Sequence, residues 1–217
     1  MFDKRYRMVS SERMPRPARA KPKDKVVRLD AAAWIATAFD ALADGGIDTV
    51  RVEPLAKSLA ITKGSFYWHF ADRNELIVST LELWELRDTD RVIGAIGETG
   101  DVATRLRTLL HGAFASVPVG SEGSLGRVEL ALQASASHPL VAPVLARVTR
   151  RRLAFLTRLY TELGLSPARA RDRGLLAYTA FLGHAQLAHA TPELLPTGRS
   201  FKTHVDQVTE PLMRLGR

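Results

Sequence analysis

Residues 55–70 decide the fold of this chain, and they read L-A-K-S-L-A-I-T-K-G-S-F-Y-W-H-F. Apolar residues recur at helical spacing from Leu55 to Leu59, and Ile61 then interrupts the period. Thr62 is expected to be the N-cap of a second helix, because its hydroxyl can accept a hydrogen bond from a free amide one turn inside that helix. The stretch therefore predicts two short helices that meet at a tight turn.

The second of these helices, over residues 63–70, has two different faces. Phe66 and Phe70 are four residues apart and are expected to form one buried stripe. The opposite face carries hydrogen-bond donors, a hydroxyl and flat rings, contributed by Lys63, Ser65, Tyr67, Trp68 and His69. A helix pair with a donor-rich second helix is typical of the helix-turn-helix, whose second helix enters the major groove of DNA.

The longer run from Val50 to Leu76 resembles the DNA-binding segment of the TetR/AcrR family of transcriptional repressors. The strongest mark of that family is a small or hydroxyl residue, x-G-x-x, then Tyr-x-His-Phe, and a cation after a short gap. The matching residues are Thr62, Gly64, Tyr67, His69, Phe70 and Arg73. The resemblance implies an all-α fold of about nine helices. An N-terminal three-helix DNA-binding domain would precede a C-terminal helical domain for effector binding and dimerisation.

We expect the DNA contacts to come from one group of residues around this motif. They are Arg51, Thr62, Lys63, Gly64, Ser65, Tyr67, Trp68, His69 and Arg73. Lys63 can donate to guanine acceptors, and Tyr67 and His69 suit phosphates, which is also their role in the family resembled. Many members of that family have Ser or Thr where this chain has Arg51, so Arg51 or backbone amides are expected to contact that phosphate. Trp68 either presses on a sugar or a thymine methyl, or packs on the next helix.

The composition is that of a chain with a sizeable core and without thiol chemistry. The chain has 217 residues, of which 46% are hydrophobic, and it has no cysteine. No run of about 18 apolar residues predicts a transmembrane helix, and the first residues lack the apolar segment of a secretory signal. We expect a cytoplasmic protein with no membrane partner.

The net charge of +8 is concentrated at the N-terminus. Residues 1–28 contain ten Lys or Arg against three acidic residues, which is a net charge of +7. Residues 1–27 also contain three prolines without apolar periodicity, so we predict a disordered basic arm. This arm either grips phosphates beside the helix-turn-helix or is a solvated leader. The expected DNA-binding domain, residues 28–76, carries five cations against seven acids, which is unusual for such a module.

The rest of the chain reads as amphipathic helices without strand-like alternation. A first helix after Asp30 is expected to bury the rear of the helix-turn-helix with Trp34 and Phe39. A long helix over residues 73–97 is expected to connect the two domains. Residues 77–217 are the predicted effector-binding and dimerisation domain. Its further helices are expected over about 101–117, 125–137, 139–164, 167–190 and 201–215.

Three sets of residues stand out in this second domain. The ligand pocket that the family resemblance implies is expected to use polar or aromatic residues on apolar faces, although each can also be ordinary core. These are Trp84, His111, Phe114, Gln133 and Tyr178. Dimer contacts are expected from Leu175, Thr179, Leu182, Gln186, Phe201, Val205, Val208 and Leu212. A run of arginines, Arg147, Arg150, Arg151 and Arg152, is expected on the exposed side of its helix.

These features favour a homodimeric DNA-binding transcriptional regulator, a repressor that a small-molecule effector releases from a palindromic operator. Effector binding would shift the helix over residues 73–97 and change the spacing of the two recognition helices. The alternatives are an enzyme that uses the helical pocket and a basic nucleoid-type protein that binds DNA through its arm. The sequence shows no catalytic constellation and no cofactor motif. No metal site is expected either, since His184 and His189 lie on different helix faces without a matching set of carboxylates.

Overall fold

The computed structural model describes residues 30–97, 100–117 and 125–215. Within these ranges the chain forms nine α-helices and no β-strand, as the sequence predicts. The helices are α1 (Ala31–Gly45), α2 (Val52–Ser58), α3 (Arg73–Glu85), α4 (Arg91–Gly97), α5 (Val102–Ala115), α6 (Leu125–Ala134), α7 (Val141–Glu162), α8 (Pro167–Ala190) and α9 (Gly198–Met213). None of the described helices is long and apolar enough to cross a lipid bilayer. The basic arm predicted over residues 1–27 lies outside the described residues.

Helix α1 forms the rear wall of the N-terminal domain. Asp30 caps it, because its carboxylate accepts a hydrogen bond from the Ala33 amide at 3.0 Å. Gly46 ends the helix with a φ of 78°, in the left-handed region that favours glycine. The Trp34 ring is fully buried and meets the Phe66 ring edge-on, with 5.2 Å between the two centroids. This contact fixes the segment that follows α2 against α1.

The second helix of the predicted pair is a 3₁₀ helix over Lys63–Trp68, named here the recognition segment. Thr62 stands at its N-cap, but the Thr62 hydroxyl makes no capping hydrogen bond, so the prediction is wrong in this detail. The Ser65 hydroxyl and the Ser65 amide instead both donate to the Thr62 carbonyl, at 2.7 and 3.1 Å. Such bonds between residues three apart wind the backbone as a 3₁₀ turn. The tight turn before the segment passes through Ala60, whose φ of 54° is left-handed.

One continuous helical stretch, called here the connecting helix, runs from the N-terminal domain into the C-terminal domain. It consists of α3, a π-helical segment over Leu86–Asp90, and α4. Asp72 is its N-cap, and Glu75 in the first turn satisfies a further free amide. The Asp72 carboxylate accepts from the Glu75 amide at 3.0 Å, and the Glu75 carboxylate accepts from the Ala71 amide at 2.6 Å. The single helix predicted over residues 73–97 is therefore present, with a π turn that its sequence pattern does not reveal.

The first hydrophobic core extends beyond residue 76, where the sequence places the domain boundary. Trp84 of the connecting helix is fully buried in the same core as α1 and the recognition segment. Val128 and Leu132 of α6 and Leu145 of α7 belong to it as well. The N-terminal domain is thus packed directly on elements of the C-terminal domain.

Helix α9 packs against α5 of its own chain. Val205 and Leu212 are buried in the second core, and Phe201 and Val208 are half-buried against it. Burial within the chain leaves Val205 and Leu212 no free surface for the dimer contacts expected of them, whereas the contacts expected of Phe201 and Val208 stay a prediction. The physical reason is that the apolar stripe of an amphipathic helix needs one apolar partner, and the stripe of α5 supplies it.

Candidate nucleic-acid interface and effector cavity

The recognition segment presents two aromatic side chains to solvent. Trp68 is 85% exposed and Tyr67 is 58% exposed. The Tyr67 ring rests edge-on against the buried Phe66 ring, with 5.2 Å between centroids. The alternative in which Trp68 packs on the following helix does not hold, because that side chain is almost fully solvated. Two neighbouring rings at the surface offer contact area to sugars and thymine methyl groups.

Lys63 is partnered by an acidic residue of α2. Its Nζ atom lies 2.5 Å from Oε1 of Glu53, and both side chains are exposed. This hydrogen bond lowers the pKa of the Glu53 carboxyl and raises the pKa of the Lys63 ammonium. The cation that we expect to reach guanine is therefore paired in the free protein, and a DNA acceptor has to compete with Glu53.

Arg73 braces the N-terminal domain from within. Its Nε donates to the Val50 carbonyl at 2.6 Å, and its Nη2 donates to the Ile47 carbonyl at 2.7 Å. These bonds tie the first turn of the connecting helix to the loop between α1 and α2. The cation at this position of the motif thus has a structural task, and a phosphate contact would use its remaining donors.

The other expected contacts surround the recognition segment. Arg51, Thr62 and Gly64 are exposed, whereas Ser65 and His69 are half-buried. A Cβ added at Gly64 would meet only the Thr62 hydroxyl, at 3.8 Å. Packing in the free protein therefore does not require glycine here, which favours a close approach of the backbone to DNA as its reason.

A cavity of about 390 Å³ lies in the C-terminal domain. The π segment, α4, α5, α7 and α8 line it, and α6 contributes a single residue. Its wall is mostly apolar and includes the aromatic side chains Phe114, Phe155, Tyr178 and Phe181. A volume of this size lies within the range of small-molecule sites.

A charged cluster interrupts the apolar wall of this cavity. Arg152 donates to Glu129 at 2.5 Å, to the Thr89 hydroxyl at 3.0 Å and to the Asp88 carbonyl at 3.3 Å. The Tyr178 hydroxyl donates to the other oxygen of Glu129 at 3.2 Å. Arg152 and Glu129 thus form a buried, hydrogen-bonded ion pair whose charges offset each other.

Asp88 is also one of the residues that line the cavity, and its carboxyl group has no such partner. Both of its oxygens are buried, and neither has a hydrogen-bond partner in the described part of the chain. Burial raises the pKa of Asp88 from 3.8 to about 7, although the charges of Arg152 and Arg87 favour the ionised form. Near neutral pH this carboxyl is therefore divided between its protonated and its charged form.

Two of the five residues predicted for the ligand pocket, Phe114 and Tyr178, line the cavity. The other three do not. Trp84 is buried in the first core, His111 is partly exposed at the surface, and Gln133 donates to the charged cluster from outside the lining. Polarity on an apolar face therefore does not distinguish a cavity residue from a core residue.

The charged residues of the cavity, Asp88, Glu129 and Arg152, escape the prediction from sequence. Arg152 belongs to the arginine run expected on the exposed side of α7, yet its side chain is only 14% exposed. Because each residue turns a helix by about 100°, neighbouring arginines face different directions, and Arg152 faces the interior. The signal available in the sequence is that Arg152 falls on a different face of α7 from the solvated arginines of the run.

Two further arginines of the same run anchor the connecting helix on α7. Glu85, the last residue of α3, accepts from Arg147 at 2.6 and 3.0 Å and from Arg151 at 3.3 Å. Arg151 also lies 2.6 Å from Asp90 on the π segment. The π segment is thus held to α7 by ion pairs at both of its ends.

One face of α8 exposes leucine side chains. Leu175 and Leu187 are each 50% exposed. One helical stripe, at spacings of four, three and four residues, consists of Leu175, Thr179, Leu182 and Gln186. Leu187 lies next to this stripe, about 100° around the helix from Gln186. The four α8 residues predicted for a dimer interface all belong to it.

Comparison with known proteins identifies both the motif and the fold. Residues 35–80 match the family model described as bacterial regulatory proteins, tetR family. No curated protein matches the chain as a relative. Among solved structures, the chain is similar to a transcriptional regulator from Rhodococcus sp. Rha1, with 19% identity and a TM-score of 0.67, over 85% of this chain and 96% of that chain.

Two other similar structures were solved with ligands. AibR in complex with isovaleryl coenzyme A and operator DNA is 17% identical, with a TM-score of 0.65, over 84% of this chain and 97% of that chain. FadR from Bacillus subtilis in complex with stearoyl-CoA is 16% identical, with a TM-score of 0.64, over 86% of this chain and 99% of that chain. At such identities the likeness establishes the fold of the chain.

Proposed function

Because the chain belongs to the TetR family of bacterial regulatory proteins, we propose that it is a homodimeric repressor, which a small-molecule effector releases from a palindromic operator. As a member of that family it is a DNA-binding transcriptional regulator. The proposal adds three points: the protein represses transcription, it binds DNA as a homodimer, and a small-molecule effector releases it.

The observation that carries the proposal is the connecting helix. It begins at the Asp72 cap beside the recognition segment, and its π segment and α4 line the cavity. A ligand that changes the packing of the π segment or α4 therefore acts on the same helical stretch that positions the recognition segment. A coupling of ~1–3 kcal/mol between the two sites is typical of a regulatory switch.

The proposed DNA-reading surface combines base contacts and phosphate contacts. Lys63 and Ser65 would reach base edges, and Tyr67, His69 and Arg51 would hold phosphates. Trp68, the most exposed aromatic side chain, would lie on a sugar or a thymine methyl. A single segment of six residues reads few base pairs, so a two-fold dimer on a palindrome would double the number of contacts.

The proposed dimer uses the leucine-rich stripe of α8. An exposed apolar stripe on a helix is stabilised when a second copy covers it, and a two-fold axis would bring the same stripe from both protomers together. Because the apolar stripe of α9 is covered by α5, the polar side of α9 would face the edge of such an interface.

The ligands in similar structures support a role for the cavity. AibR was solved with both a coenzyme A thioester and operator DNA, and FadR was solved with stearoyl-CoA. Those proteins share the fold of this chain, and the corresponding helical domain of this chain contains a cavity of suitable size for a small molecule.

A gel-shift titration on the intergenic DNA upstream of the protein's own gene, with excess random competitor, tests the DNA-binding part of the proposal. We expect a retarded complex that resists competitor and contains two protomers. If no such complex forms there, selection from fragments of the whole genome follows, and failure of both experiments would contradict sequence-specific binding.

Binding through the basic arm alone is the second candidate function. It is favoured by the charge of residues 28–76, where five cations face seven acids and Lys63 and Arg73 already have partners within the chain. Deletion of residues 1–27 separates the two functions. A repressor without its arm binds its operator more weakly but still selectively, whereas an arm-dependent protein loses DNA binding altogether.

A further inference from the structure

The charge balance of the cavity wall points to the chemical class of the effector, and this step rests on the proposed function of the cavity. Arg152 is the only cation in the wall over the described residues. Each of its three nitrogens already donates a hydrogen bond, to Glu129, Thr89 and the Asp88 carbonyl. The carboxylate of Glu129 offsets the charge of Arg152. Among the described residues of the wall, no second cation offsets the carboxyl group of Asp88.

The remaining wall suits a positive charge as well. Tyr178 and Phe181 are stacked with 6.5 Å between their centroids, and Phe114 meets Phe181 edge-on at 6.5 Å. Aromatic faces attract organic cations, most strongly where water is excluded. A buried carboxylate without a hydrogen-bond partner is costly on its own, and a nearby positive charge stabilises its ionised form.

We infer that the effector of this cavity is an organic cation, in which an ammonium group lies beside Asp88 and an apolar body fills the space between α5, α7 and α8. An anionic headgroup at the same place would be repelled by the Asp88 carboxylate, and the charge of Arg152 is already offset by Glu129. Fatty acids and coenzyme A thioesters, which have anionic groups, fit this part of the wall less well than amines.

Calorimetric titration with three probes of equal chain length tests the inference at pH 8. The probes are decyltrimethylammonium, decanol and decanoate, each below its micellar concentration. We expect the wild-type protein to bind the cation on the order of tenfold or more tighter than the alcohol, and the carboxylate most weakly. Equal binding of cation and alcohol, or tightest binding of decanoate, would overturn the inference.

Two variants assign the selectivity to one carboxyl group. Asp88→Asn keeps the shape of the side chain and should lose most of the preference for the cation over the alcohol, with only the contribution of the aromatic faces remaining. Asp90→Asn removes a carboxylate from the same π segment, one that pairs with Arg151 and does not line the cavity, and it should keep the wild-type selectivity. Unchanged affinity of Asp88→Asn for decanol would show that the cavity is intact. A cation preference as large in Asp88→Asn as in the wild type would overturn the role of this residue.

The pH dependence offers an independent readout, because the quaternary ammonium probe has no proton to lose. Four charged or titratable groups surround Asp88 or its cluster: Arg87 on its own segment, Arg152 of α7, Glu129 of α6 and Tyr178 of α8. Burial raises the pKa of Asp88 to about 7, and burial also raises the pKa of Tyr178 above its ordinary value. Affinity for the cation should therefore rise about tenfold or more from pH 5.5 to pH 8 in the wild type and stay constant in Asp88→Asn. A flat wild-type profile would contradict the inference.

A separate measurement keeps this inference distinct from the proposed function. Operator affinity is determined with and without each probe on the DNA fragment found by gel shift. If decanol or decanoate releases the operator and the cation does not bind, the ligand class is wrong and the repressor mechanism stands. If the cation binds through Asp88 and operator affinity does not change, the ligand class stands and the coupling to DNA is contradicted.

Discussion

Replacing Asp88 by asparagine should make the protein more stable, although the residue lies in the interior. Asparagine has the same shape as aspartate and cannot ionise. In the wild type, the folded protein holds the carboxyl at a pKa of about 7, whereas its ordinary value of 3.8 applies in the unfolded chain. The folded state thus resists ionisation, and the cause is burial without a hydrogen-bond partner.

The size of the effect follows from the two pKa values. Between pH ~4 and ~7 the native protein binds a proton that the unfolded chain has lost, so the free energy of unfolding falls as the pH rises through this window. At ~1.4 kcal/mol for each unit of pKa difference, the full penalty above pH ~7 amounts to ~4 kcal/mol. A pH of 5 is only about one unit above the pKa of the carboxyl in the unfolded chain, so the penalty is ~2 kcal/mol there.

Urea denaturation of the wild type and Asp88→Asn, followed by circular dichroism at pH 5 and pH 8, measures this difference. The protomer concentration has to be the same throughout, because the stability of a dimer depends on it. We expect a stability gain of ~4 kcal/mol at pH 8 that shrinks to ~2 kcal/mol at pH 5. An equal gain at the two pH values would show that ionisation of Asp88 is not its source, and a loss at pH 8 would refute the reasoning.

Three further predictions concern the DNA-reading surface, the anchor of the connecting helix and the dimer. Glu53→Gln should raise operator affinity by ~2–10-fold and steepen its salt dependence by about one ion, because it frees Lys63, and adding Lys63→Gln should abolish the gain. Glu85→Gln should lower the free energy of unfolding by ~1–2 kcal/mol at pH 7, since Arg147 and Arg151 lose a charged acceptor. This loss should fade as the pH drops below ~4.5, because the wild-type carboxylate then becomes protonated as well. Leu187→Glu should yield monomers in sedimentation velocity and weaken operator binding, whereas Thr203→Glu on the exposed side of α9 should do neither. The first prediction is contradicted if Glu53→Gln leaves the salt dependence unchanged, and the second if Glu85→Gln and the wild type unfold alike at pH 7. The third is contradicted if Leu187→Glu remains a dimer.

The recognition segment could be predicted from sequence because its chemistry is local. The turn and the buried Phe66 follow from spacing within a few residues, and the structure places them accordingly, whereas spacing leaves the exposure of Trp68 undecided. The detail that fails is the Thr62 cap. There the outcome depends on whether the Thr62 hydroxyl or the Ser65 hydroxyl finds the better partner, and helical periodicity says nothing about that choice.

The cavity could not be predicted in the same way, since it depends on how five elements meet. Apolar stripes identify α5 and α9 as amphipathic, but the same stripe serves equally for a partner protomer and for a neighbouring helix of the same chain. Burial of Val205 and Leu212 against α5 is therefore visible only in three dimensions. The same holds for Arg152, whose position within a run of arginines suggests solvent.

Arg152 gives a physical reason why occupancy of the cavity can affect the N-terminal domain. Its guanidinium lies 5.2 Å from the centre of the Trp84 ring, which belongs to the first core, and it also bonds the backbone of Asp88 and the hydroxyl of Thr89 on the π segment. A ligand charge near Asp88 changes the electrostatic potential at Arg152, a side chain that contacts both the π segment and Trp84. π turns within α-helices occur frequently at functional sites, and here the turn places Asp88 and Thr89 among the residues that line the cavity, in the middle of the connecting helix. Effector charge and DNA-binding geometry are thus expected to meet at this turn, about four helical turns from the Asp72 cap.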